Sequence, residues 1–182
     1  DQIGRSRLPA SNSIQTPAPI GGTEKKPAPV PAYGAHGVAQ PVGTSPNTSG
    51  TLAWAVDVDN PATGESFTVT LKEVSLPAPD GSSVTRPCAI GFSGNYPRAL
   101  DGLARILSLD MRVIDPAWIG MKLRKLLNVG EPLGHFMAPV PGERRQQVWP
   151  STVAYIARLV VHRYAMLGVL DEDGLPLREM GI

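Results

Sequence analysis

Gly91-Phe92-Ser93-Gly94 reads as a tight loop just ahead of a helix. Backbone N–H groups in such a loop, together with the partial positive charge of a helix N-terminus, can hold an anion. Arg98 falls in the expected first turn and would add a guanidinium. Gly91, Ser93, Gly94 and Arg98 are therefore the anion- or nucleotide-binding candidates. Loops of this kind also serve packing alone, and that alternative stays open. A second group is Gly142-Glu143-Arg144-Arg145-Gln146-Gln147, followed closely by Trp149. Arg and Trp are enriched where partners bind tightly. Arg144, Arg145, Gln146 and Trp149 are the partner-contact candidates, with a solvated loop as the alternative. Residues 130–150 read as one long loop, and long loops inside compact domains are usually functional or disordered.

No catalytic residue is assigned. Cys88 is the only cysteine and sits in an expected strand with no histidine nearby. Its default reading is a buried core thiol. A lone cysteine forms no intramolecular disulfide, no CxxC redox pair and no cysteine-based zinc site. That usage fits a reducing compartment, the cytoplasm. His36, His135 and His162 match no metal-ligand spacing, so no metal is expected, and His162 reads as a packed or solvent-facing helix residue. Asp57, Asp59 and Asp101, or Asp171, Glu172 and Asp173, read as solvated positions. Acid–base work by paired carboxylates needs a facing geometry that spacing does not reveal.

The elements that must position these groups are legible from periodicity. Trp54, Val56 and Val58 alternate with Ala55, Asp57 and Asp59, a half-buried strand. Asn60-Pro61-Ala62-Thr63-Gly64-Glu65 is a turn. Phe67, Val69 and Leu71 continue in a second strand, but Val74 and Leu76 fall on the other parity. A β-bulge near Lys72-Glu73 accounts for that flip. Val84 to Ile90 is a third strand, with Pro87 arguing against a central place in the sheet. The period then becomes helical. Leu100, Leu103, Ala104, Leu107 and Met111 make one stripe. Ile106 and Leu109 widen it, predicting a helix covered on two sides. Asp115-Pro116 starts a second helix carrying Trp118, Ile119, Leu123, Leu126 and Leu127, with Lys122, Arg124 and Lys125 on its other face. Pro150-Ser151 opens a third, striped by Val153, Ile156, Ala157, Val160, Tyr164 and Leu167 and stopped by Gly168.

Residues 1–50 differ in kind. Thr16-Pro17-Ala18-Pro19 and Lys26-Pro27-Ala28-Pro29-Val30-Pro31 are Pro/Ala alternations that favour extended polyproline conformations. Such a segment buries too little surface to offset chain entropy, so it reads as a disordered linker; a proline-motif ligand is the alternative. The net charge is +1, and the first fifty residues hold four basic against two acidic side chains. The remaining 13 basic and 14 acidic residues leave the folded part almost neutral. That balance argues against a nucleic-acid binder acting through phosphates. No run of apolar residues is long enough to cross a membrane as a helix.

The expected fold class is α+β: a three-stranded antiparallel meander packed against two or three helices, preceded by a disordered Pro/Gly-rich leader. The expected division is a linker over 1–50, a core over 51–129, and a C-terminal loop, helix and short tail over 130–182.

From Phe67 to Leu127 the chain resembles the small TSCPD-type domain near the C-terminus of adenosylcobalamin-dependent (class II) ribonucleotide reductases. The elements carrying the likeness are Ile90-Gly91-Phe92-Ser93-Gly94, the helix from Leu100-Asp101-Gly102-Leu103 through Leu107-Ser108-Leu109 to Arg112, and Trp118-Ile119-Gly120-Met121 through Leu126-Leu127. Pro141-Gly142-Glu143-Arg144-Arg145, Trp149-Pro150-Ser151-Thr152 and the terminal Glu179-Met180-Gly181-Ile182 resemble the C-terminal extension of some proteobacterial members. The Thr-Ser-Cys-Pro-Asp signature is absent, as is the family's terminal cysteine pair. The resemblance implies that the partner is the catalytic portion of such a reductase, in cis or in trans. Adenosylcobalamin would belong to that portion and not to this segment. The family's chemistry needs a thiyl-forming cysteine plus a cysteine pair, which one cysteine cannot supply. This chain would then be an accessory domain for docking, assembly or regulation. The alternative is a protein-interaction module unrelated to nucleotide metabolism.

Overall fold

The computed structural model describes residues 51–112 and 115–177. The expectations for the leader over 1–50 and for the terminal Glu179-Met180-Gly181-Ile182 lie outside these residues.

The fold is α+β. Strands β1 (Ala53–Asn60), β2 (Glu65–Pro77) and β3 (Ser83–Asn95) form an antiparallel sheet in the order β1-β2-β3. Helices α1 (Leu100–Arg112) and α2 (Pro116–Leu126) come next. A hairpin of β4 (Phe136–Pro139) and β5 (Gln146–Trp149) then leads into α3 (Thr152–Met166).

Alternation builds one apolar sheet face. Val58 pairs with Phe67, Val56 with Val69 and Trp54 with Leu71; across the next ladder Leu71 pairs with Ile90 and Val69 with Phe92. Cross-strand partners share a face, so these pairs form a continuous apolar layer. Phe67, Phe92 and Tyr96 extend it as an aromatic cluster with centroids 5.6–6.1 Å apart.

The bulge lies at Lys72/Glu73, where periodicity placed it. The extra residue belongs to β3: Lys72 faces Ala89 and Glu73 faces Pro87, so Cys88 is passed over. Pro87 is tolerated because β3 is an edge strand and the ladder is already interrupted there. Below the bulge Val74 and Cys88 form a separate small cluster with Leu76. Glu73 meanwhile meets α3.

Helix α1 buries Leu100, Ala104, Leu107 and Met111, the predicted stripe, with Leu103 packed at its margin. Its Ser108 hydroxyl accepts from the Ile90 N–H at 3.0 Å, which satisfies a backbone group of β3. The expectation that Ile106 and Leu109 sit under a second cover is corrected. Both are more than 60% exposed, since neither α2 nor α3 reaches that side. Helix α2 is capped by Asp115, whose Oδ1 accepts from the Ala117 N–H at 2.8 Å. It buries Ile119 and Leu123, and Lys122 is paired to Asp110 of α1 at 2.5 Å.

Helix α3 is the centre of the molecule. Ala154, Tyr155, Ile156, Ala157, Leu159, Val160, Val161 and Tyr164 are all buried. A stripe read at helical spacing underestimates this, because the helix is covered on several sides. Ser151 caps it, accepting from the Ala154 N–H at 3.1 Å and donating to the Val129 carbonyl at 2.5 Å. Gly168 ends it at φ +69°, as its position predicted.

Polar contacts fasten α3 to the sheet at both ends. At its start, Asn60 Nδ2 donates to Thr152 Oγ1 at 2.9 Å, and that hydroxyl donates to Glu65 Oε2 at 2.7 Å. Toward its end, Arg163 makes a two-pronged bond to Glu73, Nε–Oε1 at 2.6 Å and Nη2–Oε2 at 2.9 Å. Glu73 raises the Arg163 pKa further, and the guanidinium stacks 5.8 Å from the Trp54 ring centroid. The Tyr164 hydroxyl points at the Pro87 carbonyl, 3.4 Å away.

This anchoring can be tested by mutation and by pH. Glu73→Ala strands a guanidinium at the base of α3 and lowers stability by about 2–3 kcal/mol in chemical denaturation. The Glu73→Ala/Arg163→Ala pair should lose less than the sum of the single changes; strict additivity would refute the coupling. The alkaline pH dependence comes from three buried groups, Tyr155, Tyr164 and Cys88, each raised by burial. Burial pushes the Tyr164 hydroxyl well above its ordinary range and raises the Cys88 thiol, so both are neutral in the fold. Raised native pKa values leave stability complete below the unfolded values, and it is lost as pH climbs past them. The melting temperature should therefore fall from about pH 9 upward, and Tyr164→Phe should flatten the decline above about pH 10. A melting temperature level to about pH 11 would contradict this.

Candidate functional site

The structure revises the anion site. Residues 91–94 lie in β3 and not in a loop: Gly91 faces Thr70, Ser93 faces Thr68 and Gly94 faces Phe67. N–H groups along a paired strand point alternately to opposite edges and cannot converge on a phosphate. Gly94 is needed for another reason. At φ +114° its missing Cβ would stand 2.9 Å from the Ser66 carbonyl oxygen, so only glycine lets the strands close there. Arg98 is engaged locally. Its Nη1 donates to the Tyr96 hydroxyl at 2.8 Å, its guanidinium lies 4.9 Å from that ring, and Tyr96 donates to Asp101 at 3.0 Å. The first turn of α1 thus already carries a carboxylate where a bound anion was expected.

The second group is divided by the structure. The expected long loop contains the β4–β5 hairpin, with Phe136 facing Trp149 and Pro139 facing Gln146. Its signal was present as the alternation Phe136, Ala138, Val140 and the turn at Pro141-Gly142, with Gly142 at φ +79°. Trp149 is not a surface contact: it is 5% exposed, its indole N–H donates to the Ala138 carbonyl at 3.2 Å, and its ring packs 5.1 Å from Tyr155. Phe136 meets the same tyrosine edge-on at 5.6 Å. Arg144, Arg145 and Gln146 are exposed at the tip. Arg145 is bound to Glu143 and holds that carboxyl below its usual range by hydrogen bonding.

Sequence reading missed the feature these elements create. Among the described residues, the free flank of β1, the hairpin β4–β5 and one side of α3 enclose a cleft of about 660 Å³. Its apolar walls include Trp54, Val56, Met137, Tyr155, Leu159 and Met166, with Pro61, Pro139 and Pro141 along the rim. Asp57 and Asp59 border it from β1, but strand alternation turns their carboxylates to the outer face of the sheet, and Glu143 at the hairpin turn is paired with Arg145. Asp57 Oδ1 accepts from the Thr68 hydroxyl at 2.7 Å and Asp59 Oδ1 from the Ser66 hydroxyl at 2.6 Å, so both are held in place by β2.

His162 also lines the cleft. Its Nδ1 lies 2.8 Å from Glu172 Oε1, and Arg158 fixes Glu172 through Nη2–Oε2 at 2.7 Å and a bond to the Glu172 carbonyl. A Cβ on Gly142 would come within 2.5 Å of the imidazole, so the hairpin turn presses directly on the ring. This is a histidine packed on a helix, as expected, with its orientation set from both sides. Cys88 lies elsewhere, buried under the bulge, with its thiol pushed up by burial.

In comparisons with family models, curated proteins and solved structures, nothing matches the chain.

Trp149→Ala should destabilise the domain by about 3–5 kcal/mol, because it empties the junction between the hairpin and α3. Arg144→Ala should stay within about 0.5 kcal/mol of the parent. Urea titration of both variants distinguishes a core tryptophan from a surface arginine.

Proposed function

We propose that this chain is an accessory domain of an adenosylcobalamin-dependent ribonucleotide reductase, acting in docking, assembly or regulation of the catalytic portion. The observation that carries the reading is the element order. Three antiparallel strands lead into a helix whose buried face is Leu100, Ala104, Leu107 and Met111, followed by a second amphipathic helix, as the resemblance implies. The lone, buried cysteine supports a role without chemistry of its own, since the family's reduction uses several reactive thiols. Under this reading adenosylcobalamin belongs to the catalytic portion and not to this segment. Under this reading the compartment is the cytoplasm. For the described residues, no helix is long and apolar enough to cross a membrane.

A second reading, an interaction module unrelated to nucleotide metabolism, is favoured by one observation. Ile106 and Leu109 of α1, and Trp118 and Met121 of α2, expose large apolar side chains. Exposed apolar groups on this scale commonly mark contact surfaces.

The deciding experiment is purification of the chain from its native source with mass spectrometry of what accompanies it, or of the longer chain that contains it. A cysteine-bearing, cobalamin-binding reductase is expected. Removal of residues 51–182 should then impair nucleotide reduction or assembly of the complex. Recovery with unrelated proteins alone would refute the reductase reading and leave the interaction module.

A further inference from the structure

We propose that the outer face of helices α1 and α2 is a docking surface for an anionic lipid bilayer, on which the domain lies without crossing it. The proposal rests on this face alone and stands whether or not the chain serves a reductase.

Helical spacing builds the face. Ile106 and Leu109 lie three residues apart on α1, and Trp118 and Met121 three apart on α2, so each pair shares one side of its helix. All four are between 41% and 65% exposed. One ion pair joins the two rows. Asp110 lies one turn beyond Ile106 and Lys122 one turn beyond Trp118, and the two meet at 2.5 Å. The four apolar side chains therefore border a single seam, on the side away from the core that Leu107, Met111, Ile119 and Leu123 fill.

Charge on this face is one-sided. Arg105 stands beside Leu109, and Lys125 beside Met121, each at a spacing of four residues. Both are exposed, and neither has an ion-pair partner among the described residues. Elsewhere Arg145, Arg158 and Arg163 are each bound to a carboxylate. The two carboxylates of these helices are already engaged: Asp110 by Lys122, and Asp101 by the Tyr96 hydroxyl. The acidic turn 171–173 lies on the flank of α2 opposite Lys122, where Gly174 packs on Gly120, and Arg158 holds its Glu172.

Unpaired cations beside protruding apolar groups select the partner. A second copy would bring the same cations to the interface with no free carboxylate to meet them. A nucleic acid would set Ile106 and Leu109 against phosphates. Side chains exposed to this degree stand out from the surface, so a protein partner would need a groove shaped to them, whereas a bilayer deforms around them. Acyl chains take up the aliphatic groups, an indole rests at headgroup level, and lysine and arginine reach lipid phosphates over their own methylenes. Helices of 13 and 11 residues are at most about 20 Å long, too short for a hydrocarbon layer of about 30 Å, so they lie in the interface plane.

The test mixes the full chain with unilamellar vesicles of phosphatidylcholine and phosphatidylglycerol in equal parts, read by co-sedimentation and tryptophan emission. Binding is expected, with a blue shift that Trp118→Phe removes. Vesicles of phosphatidylcholine alone, or high salt, should weaken it by at least about tenfold. Ile106→Glu/Leu109→Glu and Arg105→Glu/Lys125→Glu, all at exposed positions, should each weaken it to a similar extent, about tenfold or more. Arg144→Glu, at the exposed hairpin tip, should leave affinity within about twofold. Circular dichroism and melting confirm that each variant is folded. No binding at millimolar lipid overturns the proposal, as does equal binding to the neutral vesicles. Undiminished binding by both double variants overturns it by assigning the contact to another part of the chain. An Arg144→Glu loss as large as that of Arg105→Glu/Lys125→Glu overturns it in favour of unspecific charge attraction. A vesicle-free dimer that Ile106→Glu/Leu109→Glu dissociates overturns it in favour of a second copy.

Discussion

Helix α3 is tied to the sheet by two polar anchors made between residues about ninety positions apart, and the rest of the fold is arranged around them. At one end Thr152 stands between Asn60 and Glu65, and at the other Arg163 grips Glu73. Hydrophobic burial draws a helix onto a sheet without specifying where along the sheet it rests. Directional bonds at both ends supply that register. The apolar residues between them then need only fit, and Ile156, Ala157 and Val160 are fully buried where they do.

The second anchor lies beside a local irregularity. A regular ladder would pair residues 73 and 88 and keep one parity throughout. Because β3 passes over Cys88, that strand changes parity beyond the bulge, while β2 runs on unbroken and Val74 joins Cys88 in a cluster of its own. Glu73 keeps the parity of Val69 and Leu71 and so meets α3. Bulges are a known means of redirecting a side chain near the rim of a sheet. Here one also accommodates Pro87, whose missing N–H would break a central ladder. Ser108 closes the same border by bonding the backbone of Ile90 from α1.

Among the described residues, the opposite border of the sheet has no such closure. β1 faces the cleft, and the hairpin that walls it is held from below by Trp149 and Phe136 against Tyr155. Tyr155 belongs to α3, so the helix that orders the sheet also positions the cleft. The lining residues come from β1, from the hairpin and from α3, elements far apart in the chain.

Local periodicity by itself determined a good deal. The alternation in β1 and β2, the parity flip at Lys72-Glu73, the α1 stripe, and the signals at Asp115-Pro116 and Gly168 each arise from backbone geometry within a few residues. Such signals survive in any tertiary context that buries the same face. What failed to show locally were features that depend on distant neighbours. Gly91–Gly94 looked like a loop because glycine and serine favour turns, yet pairing with β2 made them strand. Ile106 and Leu109 looked buried because apolarity alone does not say which side another element will cover. Trp149 looked like a contact residue until Tyr155 and Ala138 enclosed it. The cleft and the Glu73–Arg163 and Asn60–Thr152 anchors were decided only by the tertiary structure. Each joins groups far apart in the chain, and their separation in space is set by packing that no short window of sequence contains.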